Sequence, residues 1–236
     1  MRNLKELLVE REGYIILPSF IPRKLIADFK NRLKDLYPVR ASSSKKVYAE
    51  RDDIKNLEDI SVWWSQLVTD FPETKAIQKL IEPVISHSLP NMHLYGSDVV
   101  TISKHSKWIS PHVDTPHRFN KWNFDTRLLG IQCIVSIDNH TKDNAATGLV
   151  PFSQKRNFEI DKCYTGSYDR WFIENMIQPN MPTGSVLMYN CRLLHSSMPN
   201  NLEIERPALL FNFLDKTIAD EVSAIDNIWT SNGKRP

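Results

Sequence analysis

Cysteine is scarce in this sequence. The three residues, Cys133, Cys163 and Cys191, are odd in number and never fall at CxxC spacing. This argues against a disulfide framework or a zinc ribbon and favours a reducing compartment. Long apolar runs are also lacking: none approaches the roughly 20 residues that cross a bilayer, so no membrane partner is expected. The opening stretch, MRNLKELLVEREGY, carries acids and has no apolar centre of the kind a secretory signal needs, which makes a cytoplasmic protein the expectation. Charge of one sign is missing too, since 30 Lys and Arg stand against 28 Asp and Glu, a net charge of +2. So mild a balance leaves no footprint for nucleic acid. The basic pairs Arg23-Lys24, Lys45-Lys46 and Lys155-Arg156 read as solvated faces.

What is present suffices for a sizeable core: 236 residues, 41% hydrophobic and 10% aromatic, read as a single domain over 1–236. Two textures divide it. Residues 1–91 form a mostly helical flank. Leu4, Leu7 and Leu8 share a face, and GYIILP (Gly13 to Pro18) reads as a short strand. Ile21 to Tyr37 reads as an amphipathic helix with Leu25, Phe29, Leu33 and Leu36 on its buried stripe. Ser42 to Lys46 reads as a loop, and Ile54 to Ser88 as helix again, with a break or kink at Pro83. From 92 to 215 the pattern changes to β-branched and aromatic runs between polar turns: MHLYGSDVVTISK, LLGIQCIVSID, GSVLMYN and ALLFNFL. DNHTKDNAAT (Asp138 to Thr147) is a loop by composition. Residues 216–236 are a C-terminal tail with a final helix over Ile218 to Ile228. The fold class is mainly β with a helical flank, a double-stranded β-helix (jelly roll, cupin-like) braced by N-terminal helices.

The chemistry gathers around His112-Val113-Asp114. In a strand, residues i and i+2 point to one face, so His112 and Asp114 present an imidazole and a carboxylate side by side. His195, far downstream, supplies a second imidazole. Two histidines and one carboxylate on one face suit Fe(II) and leave positions open for a co-substrate and O2. Arg206, eleven residues past His195, has the planar donor fork that pairs with the far carboxylate of a 2-oxo acid. The pattern points to a non-haem iron oxygenase. An alternative uses His117, which forms HxxxxH with His112 and could join His195 in a zinc site for a hydrolase or lyase. A non-catalytic jelly-roll binding protein is the third possibility.

Trp108, Phe119, Trp122 and Phe124 crowd around the triplet, mixed with Arg118, Lys121 and Arg127. They are either ordinary packing or, with His117, a substrate mouth suited to a small molecule bearing an anionic group. His87, His93, His105 and His140 have no partner spacing and read as structural or solvated. Cys133 sits in an apolar strand run and Cys191 in the closing hairpin, contexts where a thiol is inert packing.

These motifs resemble the phytanoyl-CoA dioxygenase-like family of Fe(II)/2-oxoglutarate oxygenases, through almost the whole chain. LLVEREGYIILPSFIPRKLIADFKNRL is similar to the family's opening, and His112 and Asp114 fall on its HxD. GIQCIVSIDNHT resembles the strand whose Gln leads into an apolar run. DNAATGLVPFSQK lines up with an acidic-Asn-Gly loop followed by Pro-Gly-Ser-His-Lys, and PTGSVLMYNCRLLHSSMPNNLEIERPALLFNF resembles the closing hairpin. The resemblance implies iron held by His112, Asp114 and His195, and 2-oxoglutarate held by Arg206, Ser197 and Gln132. It implies succinate and carbon dioxide as co-products and hydroxylation of a substrate C–H. Desaturation or ring closure would use the same oxidising chemistry. Asp114 also sets the chain apart from related halogenases, which carry a small residue there. Two departures stand out. Ala145 replaces a usual glycine. In PFSQ (Pro151 to Gln154), Phe152 replaces a glycine, which predicts a reshaped turn, and Gln154 cannot titrate as the usual histidine does.

Overall fold

The computed structural model describes residues 3–34, 62–65, 67–106, 108–163 and 166–232. Helix α1 (Leu4–Val9) opens at Asn3, whose side chain accepts the Lys5 amide proton at 2.9 Å and so satisfies an orphan donor of the first turn. Leu4 and Leu8 are buried and Leu7 half-buried. Strand β1 (Tyr14–Leu17) follows as expected, then helix α2 over 23–34. Its buried residues are Ile26, Phe29 and Leu33, with Ile21 just ahead; Leu25 is only partly buried, so the face is turned by about one position from the expected stripe. Leu36 and the loop expected at Ser42 to Lys46 lie outside the described residues.

The helix expected over Ile54 to Ser88 is interrupted. Residues Val62–Ser65 form strand β2, paired antiparallel with β3 (Met92–Ile102), Val62 opposite Ile102. A Val-Trp-Trp run is β-branched and aromatic, and an open sheet edge outweighs a helical spacing there. Helix α3 (Pro72–Ser86) begins with Pro72, whose missing N–H costs nothing in a first turn, and buries Ile77, Ile81 and Ile85 along one face. It continues through Pro83 into its last turn, where the His87 amide donates to the Pro83 carbonyl at 3.2 Å.

The remaining elements are β4 (Gly130–Ser136), β5 (Thr147–Leu149), two short helices, α4 (Ile160–Cys163) and α5 (Asp169–Asn175), then β6 (Val186–Asn190), β7 (His195–Ser197), β8 (Arg206–Asp215) and α6 (Lys216–Asn232). Every strand pairing is antiparallel. The large sheet has the order β1-β6-β4-β8-β3-β2, and β5 pairs with β7 in a small second sheet. This is the jelly roll expected from the sequence.

Alternation along the strands decides what faces what. On β4, Ile131, Cys133 and Val135 pack with Ile26, Phe29, Ile77 and Ile81 of the flanking helices. Ile134 faces the opposite way, into a cluster with Leu149, Leu187, Tyr189, Leu193 and Leu210, and Gln132 shares its face. The helices thus seal the outer face of the large sheet, and the inner face is left to the small sheet and the site. Phe211, fully buried on the helix side of β8, is representative of this core. Truncating such a residue to Ala typically costs about 3–5 kcal/mol.

Candidate metal centre

His112, Asp114 and His195 converge: one ligand atom from each lies within 4.8 Å of the others, and among the described residues no other group of three metal-binding side chains does so. The HxD segment is not a strand, as the i, i+2 argument assumed. It meets β7 through a single antiparallel bridge between His112 and His195. Pro111 and Pro116 flank the motif and cannot donate to a ladder, which confines the pairing. The segment is pinned all the same, by Ile109 N–H to Ser197 O at 3.0 Å and Asp114 N–H to Cys191 O at 2.8 Å. On the other side of the motif, Val113 is buried against Val150, Leu194 and Met198.

Second partners orient both imidazoles. His112 Nδ1 meets Ser110 O and His195 Nδ1 meets Leu193 O, each at 2.9 Å. With Nδ1–H donated to carbonyls, both Nε2 lone pairs are left for a metal. Burial, then the neighbouring His195, pushes His112 down to about 4, so it is a neutral donor. Burial alone would raise Asp114, but the two imidazoles, the Tyr189 hydroxyl and the Arg118 charge outweigh it and hold the carboxyl below its usual range. Two imidazoles and a carboxylate on one face are a donor set that fits Fe(II).

Arg206 begins β8 and is 2% exposed. One guanidinium nitrogen donates to Ala145 O at 2.7 Å, Nε has no partner, and no carboxylate among the described residues pairs with it. Burial lowers it to about 10. Ala145 continues the line of β5, where Thr147 lies opposite Ser197 and Leu149 opposite His195, so Arg206 reaches the inner wall a short way along from the metal group. Ser197 shares the His195 face of β7 by alternation. Gln132 stands between Tyr189 of β6 and Asn212 of β8. His140, read from sequence as bland, is fully buried beside Arg206 with neither ring nitrogen hydrogen-bonded. Burial and then the Arg206 charge push it well below its usual range, while the nearby Pro207 carbonyl pulls weakly the other way.

The residues expected to form a substrate mouth divide. Phe119 and Trp122 are buried with Leu129, Leu214, Ile218 and Val222 beneath α6, so packing accounts for them. His117 is buried, its Nδ1 meets Trp122 O at 3.0 Å, and it is not among the metal group, which removes the HxxxxH zinc arrangement. Lys121 is paired with Glu221 and Arg127 with Asp125. Arg118 lies over the Phe119 ring at 5.0 Å, and its charge acts on both His112 and Asp114. Trp108 is half-buried against Phe172, ring centroids 6.1 Å apart.

In the turn expected to be reshaped, Phe152 adopts φ 64°, ψ 1°, the left-handed conformation that favours glycine, and Ala145 does so at φ 61°. Their neighbours impose it: Phe152 N–H donates to Glu12 O and Ala145 N–H to Pro199 O. Gln154 is buried and donates to Arg11 O at 2.8 Å, fastening the loop to the end of α1, a structural tie rather than a substrate contact. All three cysteines are free and buried. Burial pushes the Cys163 thiol up to about 12 and raises the other two as well.

Sequence reasoning missed Tyr189 and Arg192. The Tyr189 hydroxyl donates to Asp114 Oδ2 at 2.8 Å and lies 3.0 Å from His195 Nε2. Its signal was readable, because GSVLMYN alternates and puts a polar-tipped aromatic on the face of Leu187. Arg192, 2% exposed, donates to Asp125 O, Arg156 O and Asn157 Oδ1, and so clamps two loops beside the metal hairpin.

A jelly roll carrying two histidines, one carboxylate and a buried arginine on its inner wall defines the class of Fe(II)- and 2-oxo-acid-dependent oxygenases. The family model for phytanoyl-CoA dioxygenase (PhyH) matches residues 9–208, and the chain belongs to that family, whose enzymes use iron and 2-oxoglutarate. Solved structures agree in fold. The epimerase SnoN in complex with Fe3+, alpha ketoglutarate and nogalamycin RO matches with a TM-score of 0.68 and 15% identity, over 87% of this chain and 80% of its own. The carbocyclase SnoK from nogalamycin biosynthesis matches with a TM-score of 0.65 and 14% identity, over 91% and 84%. HygX from Streptomyces hygroscopicus, with nickel and 2-oxoglutarate bound, matches with a TM-score of 0.67 and 12% identity, over 91% and 87%. No curated protein matches the chain significantly in sequence. Among the described residues no helix is long and apolar enough to cross a membrane.

Proposed function

We propose that this chain is an Fe(II)- and 2-oxoglutarate-dependent dioxygenase that hydroxylates a C–H bond of a small molecule, with succinate and carbon dioxide as co-products. The observation that carries this reading is the buried Arg206, without a carboxylate partner, on the same inner wall as the His112-Asp114-His195 group. A buried charge left unpaired is unfavourable by several kcal/mol, and a dicarboxylic oxo acid has one end for the metal and one for the guanidinium. Bound iron would supply the activation of O2 coupled to oxidative decarboxylation of the oxo acid.

The chain's own residues do the rest. His112, Asp114 and His195 would hold the metal. Arg206 would take the distal carboxylate of the oxo acid, with the Ser197 hydroxyl beside it. Gln132, paired with Tyr189 in the sheet, would face the oxo acid. Nogalamycin RO in the SnoN complex and hygromycin B in a HygX complex support a small organic substrate here. Arg118, which lies over the Phe119 ring and whose charge acts on Asp114, would contribute to recognising an anionic group on that substrate. A cytoplasmic setting accords with three free, buried cysteines.

The test is an anaerobic titration of 2-oxoglutarate into Fe(II)-loaded protein, followed by the visible metal-to-ligand charge-transfer band. A saturable band is expected, and aerobic turnover should yield succinate. A protein that binds Fe(II) yet gives neither band nor succinate would overturn the reading. An epimerase and a carbocyclase share the fold, so analysis of the product separates hydroxylation from those outcomes.

A further inference from the structure

Tyr189 stands closer to the metal group than any role in packing requires. It is 2% exposed on the inner face of β6, and its hydroxyl touches two of the three liganding residues. The hydroxyl has one proton and two acceptors. His195 Nε2 is an acceptor because Nδ1–H is given to Leu193 O. Asp114 Oδ2 accepts from the hydroxyl at 2.8 Å. A metal must take the Nε2 lone pair, so metal binding removes one of these acceptors and leaves the phenol proton to Asp114 Oδ2 alone.

This has a geometric consequence for the carboxylate. An Asp beside a metal can bind through one oxygen or both, and binding through both would use a second coordination position. Tyr189 occupies Oδ2 as a donor, while Oδ1, 4.0 Å from His112 Nε2, is not hydrogen-bonded among the described residues. We infer that Tyr189 is a positioning residue of the metal centre: its hydroxyl pins Asp114 so that a single carboxylate oxygen is presented to the metal. This rests on the oxygenase reading, since only a centre that must admit a chelating oxo acid and O2 needs those positions kept open. It acts through Asp114, as outer hydrogen bonds to metal ligands generally do, and such contacts typically change metal affinity by about 10–100-fold.

The experiment compares wild type with Tyr189→Phe, which keeps the ring and removes the hydroxyl. Co(II) is titrated against a competing chelator, and X-ray absorption of the Co(II) protein counts ligands. Thermal melts of the metal-free proteins control for folding. The expected result is a folded variant with Co(II) affinity weakened about 10–100-fold and one additional oxygen scatterer from a carboxylate bound through both oxygens. Tyr189→His, which restores a donor to that wall, should recover part of the affinity. Equal Co(II) affinity and equal ligand count in folded wild type and Tyr189→Phe would overturn the inference and leave the oxygenase reading standing. A tyrosinate-to-iron band in the Fe(III) wild type, lost in Tyr189→Phe, would overturn it in favour of direct ligation by Tyr189. If wild type itself bound neither Co(II) nor Fe(II), the oxygenase reading would fall first.

Discussion

His112 and His195, the two imidazoles of the metal group, are joined by their own main chains: each amide donates to the other's carbonyl, at 2.9 and 3.0 Å. Their rings lie 4.4 Å apart between centroids. Two ligands about 80 residues apart in sequence are therefore fixed relative to each other before any metal arrives. Because the bridge is backbone, it survives replacement of either side chain. His112→Ala and His195→Ala should each lose most bound iron while remaining folded, and Asp114→Ala should lose it or bind it far more weakly. Metal analysis after gel filtration, with circular dichroism as control, checks this. Undiminished iron in all three variants would refute the assignment.

The proposed role of Arg206 is to hold the co-substrate, not the metal. Arg206→Ala should keep near-normal iron and bind 2-oxoglutarate on the order of a hundredfold or more weakly, since losing one partner of a buried charge pair costs roughly 3–5 kcal/mol. Arg206→Lys should recover only part, because an ammonium cannot reproduce the planar fork. Anaerobic titration measures both. Wild-type affinity in Arg206→Ala would move the carboxylate anchor elsewhere.

Acid stability should depend on His117. Burial, opposed by the Trp122 carbonyl, lowers it to about 4 from 6.5. Between those values the unfolded chain holds a proton that the folded chain does not. Stability present above pH 6.5 is therefore lost as pH falls toward 4, by roughly 3 kcal/mol in total for this one group. Urea unfolding of metal-free protein at pH 7 and pH 5 should show the loss, and His117→Gln should reduce it. Equal acid losses in both proteins would show that His117 is not responsible.

Phe152 is a left-handed residue with a side chain that is 49% exposed, so little packing offsets its backbone. Such a conformation costs a residue with a Cβ about 1–2 kcal/mol. Phe152→Gly should stabilise the protein by about 1 kcal/mol, raising the melting temperature by about 2–4 °C. Phe152→Val should lower it. A lower melting point for the glycine variant would mean that the ring contributes more than its exposure suggests.

Gln154 links the loop after β5 to the end of α1. Gln154→Ala should cost about 1–2 kcal/mol in unfolding free energy, as expected when buried carbonyls lose their donor. The affinity for 2-oxoglutarate should not change. A large change in that affinity would place Gln154 in the site after all.

The amino-acid sequence alone determined the jelly roll, the three side chains of the candidate metal group and the arginine that follows them. These are recorded in local patterns: the alternation in GIQCIVS and ALLFNFL, a His and an Asp two residues apart, and an Arg at a fixed distance past a His. Short-range stereochemistry makes such patterns legible. Tertiary structure alone decided the rest. It made Val62–Ser65 a strand, because the edge of β3 takes them in antiparallel pairing. It buried Phe119 and Trp122 under α6 and turned His117 toward Trp122, so an apparent aromatic mouth became largely packing. It brought His140 beside Arg206, and Tyr189 against Asp114 from 75 residues away. It held Phe152 and Ala145 in glycine's conformation, through hydrogen bonds from their amides to distant carbonyls. Apart from His117 and Trp122, five residues apart, the partner in each case lies far off in the chain. Residue spacing carries no record of such a contact, which arises only when the elements pack together.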